Sequence, residues 1–175
     1  MADRRREILD ARARLLARVP DEPPRAGEVL ELVVFVLGGE RYGIESRFVR
    51  EVARLTRFTP VPGTPAFVLG VTNLRGEILA LFDLRHLLGI VVQGVTDLGR
   101  IVVLGEHRRE FGLLADAASE ILYVPVASLA RTDAPSARAY LRGVTPDGVI
   151  VLSGEALLSD PRLTIDVGTQ SRQAS

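Results

Sequence analysis

The chain contains no cysteine, no tryptophan and no lysine; all 22 of its basic residues are Arg. Each absence closes a class of chemistry. Without Cys there is no disulfide, no thiolate nucleophile and no Cys-based zinc site, and a reducing cytoplasm is the expected setting. Without Lys there is no Schiff-base amine, no phosphate-loop lysine and no Ser–Lys pair. An excess of either charge is also missing: the 22 basic residues are matched by 22 acidic ones. The composition therefore carries no electrostatic footprint for nucleic acid or for an anionic membrane surface. No apolar run is long enough to span a bilayer, and no secretory leader is expected, so direct membrane insertion is excluded from the reading.

The two imidazoles, His86 and His107, lie far apart in sequence, and neither has a neighbour at metal-ligand spacing. Ser46 and Ser153 lack a nucleophile-elbow context, and Gly38-Gly39 reads as a hairpin rather than a phosphate cradle. No catalytic, metal-binding or cofactor-binding residue is expected, and the chain does not read as an enzyme.

What is present is a chain of 175 residues, 47% apolar. That suits one domain, or two small lobes sharing a core. Residues 1–27 read as an Arg- and Ala-rich amphipathic helix followed by a stiff Pro-rich linker around Pro20, Pro23 and Pro24. From Glu28 the pattern changes to short apolar and β-branched runs. Leu30 to Leu37 reads as a strand, Gly38-Gly39-Glu40-Arg41 as a turn, and Tyr42-Gly43-Ile44 as the returning strand. Phe48, Val49 and Val52 suggest a short helical turn before another strand.

The centre of the chain runs from Thr64 to Arg85. Pro65 is placed to open a short helical turn ending at Gly70. Val71-Thr72 starts a strand, Asn73-Leu74-Arg75-Gly76 reads as a tight turn, and Ile78 to Phe82 returns. Asp83 stands where a helix N-cap belongs, ahead of Leu84, Leu87 and Leu88.

The pattern then repeats. Val34-Phe35-Val36-Leu37-Gly38 through Ile44 is echoed by Ile101-Val102-Val103-Leu104-Gly105 through Leu113. Ala66-Phe67-Val68-Leu69-Gly70-Val71-Thr72 is echoed by Ala139-Tyr140-Leu141-Arg142-Gly143-Val144-Thr145. Two related lobes of short strands, about 28–92 and 98–160, follow, with a tail at 161–175. A small sheet removes its exposed edges by curling into a barrel, and two barrels side by side leave a seam that would serve as a groove.

With no catalytic constellation, the candidate residues are surface residues. Arg75 stands at a hairpin tip between apolar strands, and the matching turn of the second copy, Pro146-Asp147-Gly148, has no Arg. The fold alone does not require it. Glu51 is its candidate partner, and Phe48 and Val49 beside it are candidate contacts.

These residues resemble the CheW family of bacterial chemotaxis coupling proteins. The resemblance rests on Phe35 to Glu45, on Pro65-Ala66-Phe67-Val68-Leu69-Gly70-Val71-Thr72-Asn73-Leu74-Arg75-Gly76, and on Asp83-Leu84-Arg85. It implies a mostly β fold of two SH3-like five-stranded β-barrels, with short helices and the N-terminal helical extension lying outside the family pattern. It implies a cytoplasmic, non-enzymatic adaptor recruited to membrane-associated receptor arrays. There it would join the cytoplasmic tip of chemoreceptors to the regulatory domain of a CheA-type histidine kinase. The alternatives are an adaptor of another sensory pathway, such as surface motility or gene regulation, and an antagonist of the array. By resemblance Gly70, Arg75, Val49 and Glu51 are partner-binding positions. The second half departs from the family at Ala115-Asp116-Ala117-Ala118 and at Ser153-Gly154.

Overall fold

The computed structural model describes residues 27–89, 97, 99–132 and 139–163. The amphipathic stretch and linker expected before Gly27, and the chain after Leu163, lie outside the described residues. The fold is mostly β. Ten strands and two short helices follow one another: β1 Val29–Leu37, β2 Glu40–Glu45, β3 Val49–Arg54, β4 Val68–Leu74, β5 Glu77–Phe82, α1 Leu84–Leu88, β6 Arg100–Leu104, β7 Phe111–Ala115, β8 Ala117–Pro125, β9 Leu141–Val144, β10 Ile150–Leu152 and α2 Gly154–Leu158.

The strands make two five-stranded sheets, in the orders β8-β1-β2-β10-β9 and β3-β6-β7-β5-β4. Exchanging each strand for the one five places along the chain turns the first sheet into the second. The duplication read from the sequence is therefore complete at the level of pairing. The sheets nevertheless divide the chain differently from its halves. The first takes β1 and β2 together with β8 to β10, and the second takes β3 to β7. Contiguous lobes of 28–92 and 98–160 follow the repeat but not the sheets, because the β1–β2 and β6–β7 hairpins are exchanged between the copies.

Each crossing between the sheets is tied down. The Phe48 carbonyl, just before β3, accepts from the Gly105 N–H at 3.0 Å. At the return crossing Asp116 donates its N–H to the Val36 carbonyl at 2.8 Å, and its carboxylate accepts from the Gly38 N–H at 2.8 Å. Gly38 and Gly105 hold equivalent places in the two copies.

Packing follows from strand alternation. Leu30, Leu32, Val34, Val124, Val149 and Val151 fill the inner side of the first sheet. Leu79, Leu81, Ile101, Val103 and Leu114 fill that of the second. The largest cluster lies between the sheets and includes Phe35, Tyr42, Ile44, Phe82, Leu104 and Phe111. The middle of the seam is thus core, and any groove is confined to its border. In each sheet an isolated bridge ties the segment leaving one edge strand to the opposite edge strand: Thr59 with Val71, and Ala130 with Val144.

Several local expectations change. No helical turn follows Pro65; its carbonyl closes a turn by accepting from the Val68 N–H at 3.0 Å, and β4 starts there. The turn before β3 is a single 3-10 turn, Ser46–Phe48. Pro161–Leu163 is a further 3-10 turn, and Leu163 is buried in the core between the sheets, so the packed unit runs past residue 160. Asp83 caps α1 as its position suggests, its side chain accepting from the Arg85 N–H. Ser153 does the same for α2 toward Ala156.

Candidate partner-binding surface

The hairpin joining β4 to β5 has a two-residue loop, because Leu74 pairs with Glu77. Both loop residues have positive φ, 53° at Arg75 and 85° at Gly76. This combination matches the right-handed twist of the flanking strands and favours Asn-Gly or Gly-Gly sequences. Arg75 is the one non-glycine residue with positive φ among the described residues. A Cβ in that region costs roughly 1–2 kcal/mol. Asn73, whose identity suits such a position, instead uses its side chain to accept from the Gly76 N–H at 3.0 Å.

The Arg75 side chain is 66% exposed, yet its Nε donates to Glu51 Oε2 at 3.1 Å. The other Glu51 oxygen, Oε1, accepts from Arg109 Nε at 2.7 Å, and Arg109 Nη1 reaches Glu77 Oε1 at 3.2 Å. Four charges from three segments of the second sheet therefore alternate in sign across one surface. Glu51 is the hub and is only 19% exposed. The Glu51–Arg75 pair was legible from their shared sheet. Arg109 and Glu77 were missed: Arg109 lies two residues before β7, and only the β5–β7 pairing brings it beside Glu77.

A bulge in β3 separates residues that the sequence reading grouped together. The register with β6 shifts between Val49 and Glu51. Val49 packs against the core between the sheets. Ala53, two residues beyond Glu51 on the same side, packs inside the second sheet. Val49 and Glu51 therefore serve opposite faces.

Two of the candidate residues act from inside the fold. Phe48 is 4% exposed and belongs to the main core, with the Arg47 guanidinium carbon 4.3 Å from its ring centroid. It supports the surface and does not form it. Gly70 is also buried, and a Cβ there would overlap the Thr59 carbonyl oxygen and lie 2.8 Å from its carbon. Its conformation, φ 153°, and that close approach make room for the Thr59–Val71 bridge. Gly143, at φ 157°, stands in the same relation to Ala130.

A second surface borders the seam. Val52 on β3 is 37% exposed and pairs with buried Val102 of β6. Ile121 and Tyr123 on β8, each 48% exposed, project from the side of that strand opposite Leu122 and Val124, which face the first sheet's own core. β6, which pairs with β3, also packs beside β8, so Val52, Ile121 and Tyr123 are exposed apolar side chains on strands that flank the seam.

His86 and His107 do not come together, and no group of His, Asp and Glu among the described residues is arranged to hold a metal. No helix among them is long and apolar enough to cross a membrane.

Two five-stranded sheets that exchange hairpins, with a charged hairpin surface and exposed apolar side chains and no group arranged for a metal among the described residues, have the architecture of a scaffold domain. The family model described as the CheW-like domain matches residues 31–162. The Klebsiella aerogenes chemotaxis protein CheW is 33% identical over 152 residues, covering 80% of this chain and 89% of that protein. The Rhizobium meliloti chemotaxis protein CheW is 40% identical over 94 residues, which span 54% of this chain and only 61% of that protein. Among solved structures, the scaffolding protein TtCheW from Thermoanaerobacter tengcongensis aligns with a TM-score of 0.59 at 28% identity, covering 78% of this chain and 88% of that one. The chain belongs to the CheW-like family of scaffolding adaptors, and it is an adaptor rather than an enzyme.

Proposed function

We propose that the protein couples the cytoplasmic tip of chemoreceptors to a CheA-type histidine kinase within receptor arrays in the cytoplasm. The observation that carries this reading is the strained, exposed Arg75 held by Glu51, whose other carboxylate oxygen is bound by Arg109. The hairpin would turn more easily with Asn or Gly at this position. An Arg kept there at a conformational cost, in a charged lattice facing solvent, is suited to bidentate recognition of a partner. In this reading Arg75, Glu51 and Arg109 form the face required for assembly with the kinase regulatory domain. Gly70 and Phe48 hold that face in shape.

The seam border serves the receptor. A receptor tip made of packed helices needs an apolar strip that accepts an amphipathic helix. In this reading Val52, Ile121 and Tyr123 supply the exposed apolar side chains, and Val49 packs against the core between the sheets. The test is reconstitution: a receptor cytoplasmic fragment, a CheA-type kinase and this protein, assayed for co-sedimentation and for kinase activity. The reading expects all three to co-sediment and the kinase to be activated. Co-sedimentation without activation would indicate an array antagonist, and failure to bind either partner would refute the reading.

A further inference from the structure

The seam border carries charges that the fold does not use. In the register of β3 with β6, Arg54 lies directly opposite Arg100. Like charges in directly opposed positions destabilise a strand pair. Neither guanidinium makes an ion pair or side-chain hydrogen bond among the described residues, although seven other arginines do pair with carboxylates: Arg41, Arg47, Arg75, Arg85, Arg109, Arg142 and Arg162. Of the 13 described arginines, six make no ion pair among the described residues, and Arg54 and Arg100 are the two of these that the strand register sets directly opposite each other.

Their position matters. The register is continuous from Glu51 to Arg54, so Val52 and Arg54 share one side of β3, and Val102 and Arg100 share the matching side of β6. Val102 is fully buried in the core between the sheets, which fixes that side as the seam side. The Arg pair therefore adjoins Val52 on the seam side of β3 and β6, and β6 packs beside β8, the strand that presents Ile121 and Tyr123.

We infer that the partner helix at the seam border carries acidic side chains beside its apolar stripe, and that Arg54 and Arg100 read them. This rests on assigning the seam border to a helical partner, as above, and adds the partner's chemistry and orientation. A carboxylate between the two guanidiniums removes their repulsion and gains two charge-assisted hydrogen bonds. The apolar strip alone would accept a helix in either direction; the Arg pair at one place along it fixes one. The same charge argues against the chain's own N-terminal stretch as the occupant, because residues 1–19 carry six Arg against three acidic residues.

The test uses the full chain and two stapled helical peptides with the same Leu stripe, one bearing Glu and the other Lys beside it. Affinities are measured by calorimetry at low and high salt, for the wild type, for Val52→Asp and for Arg54→Glu/Arg100→Glu. The inference expects the Glu peptide to bind at least ~10-fold more tightly than the Lys peptide to the wild type, with the preference shrinking as salt rises. It expects the double reversal to invert that preference. Arg54→Ala, which only removes one charge, keeps the test decisive if the double variant does not fold: it must weaken the Glu peptide and leave the Lys peptide no weaker. Equal affinity of the two peptides, both lost in Val52→Asp, would overturn the charge inference and leave the seam border standing. Binding of neither peptide, or binding untouched by Val52→Asp, would remove the seam border and this inference with it.

Discussion

Thr59 and Gly70 approach so closely that no side chain fits between them. Their contact lets Thr59 exchange two backbone hydrogen bonds with Val71, at 2.7 and 2.9 Å, tying the segment that leaves β3 to edge strand β4. Gly70→Ala must break this arrangement or strain it. Overlap with backbone, added to an unfavourable φ, is expected to cost about 2–4 kcal/mol. Gly39→Ala is the control, because it has positive φ but nothing within 4 Å of a new Cβ, and about 1 kcal/mol is expected there. Urea denaturation of both variants measures the difference. Equal losses would show that the bridge contributes nothing specific.

Tyr42 gives the opposite expectation. Its ring is buried and stacked 5.8 Å from Phe35, and its hydroxyl has no hydrogen-bond partner among the described residues. The equivalent residue of the second copy is Phe111. Tyr42→Phe is expected to be neutral or stabilising by up to about 1 kcal/mol. Burial also pushes the Tyr42 hydroxyl from its ordinary 10.0 up to about 12, with Glu40 adding to the shift. A pKa raised on folding contributes stability that is complete below pH 10 and lost as pH rises through about 12. Denaturation midpoints between pH 9 and 12 should fall more steeply for the wild type than for Tyr42→Phe.

The acid limb has its own reporter. Asp160 receives a hydrogen bond from the Arg162 guanidinium at 3.0 Å and one from the Tyr140 hydroxyl. The hydrogen bond from Arg162 is the main cause holding its carboxyl at about 2, below its ordinary 3.8. A depressed carboxyl pKa contributes stability above about 3.8 that is lost as pH falls through about 2. Arg162→Ala should therefore flatten the stability loss between pH 4 and 2. An unchanged acid profile would show that the Asp160–Arg162 pair does not anchor the Pro161–Leu163 turn.

Removal of residues 1–27 is expected to leave the rest folded. β1 starts at Val29, and the Glu28 carbonyl, which accepts from the Val126 N–H at 2.8 Å, is retained in a chain beginning at Glu28. Such a truncation should unfold in one cooperative transition with a melting temperature close to that of the full chain. A large drop would mean that the N-terminal stretch packs on the sheets.

Local features of this fold were written in the sequence, and long-range pairing was not. The Gly38-Gly39 turn, the Asp83 cap and the duplication each depend on residues close in sequence or on direct similarity. The exchange of hairpins depends on which residues bond Phe48 and Asp116 at the crossings, Gly105 for the first and Val36 and Gly38 for the second, and no periodicity encodes that. The same distinction holds at the site. Glu51 and Arg75 could be paired because each copy's strands were expected in one sheet, whereas Arg109 and Glu77 joined them through a parallel β5–β7 pairing. Phe48 looked like a contact because an aromatic after a turn has no visible face until the opposite sheet covers it. The bulge at Arg50 then turned Val49 away from Glu51, although alternation alone would have kept them together.

Arg75 is unfavourable to its own turn, and assembly with the partners is the proposed reason for an Arg there. Its exposed ion pair with Glu51 contributes only ~0–1 kcal/mol to folding. Arg75→Asn restores a preferred turn sequence, so stability is expected to stay within about 1 kcal/mol of the wild type, on the stabilising side. Glu51→Ala should impair assembly to a similar degree, and the double variant should be no worse than either single one. The deciding measurement is kinase activation by Arg75→Asn in a reconstituted mixture of receptor fragment, CheA-type kinase and adaptor, with the melting temperature recorded on the same preparation. A variant as stable as the wild type that fails to support activation is the expected result; one that activates the kinase fully would show that Arg75 is not needed for assembly.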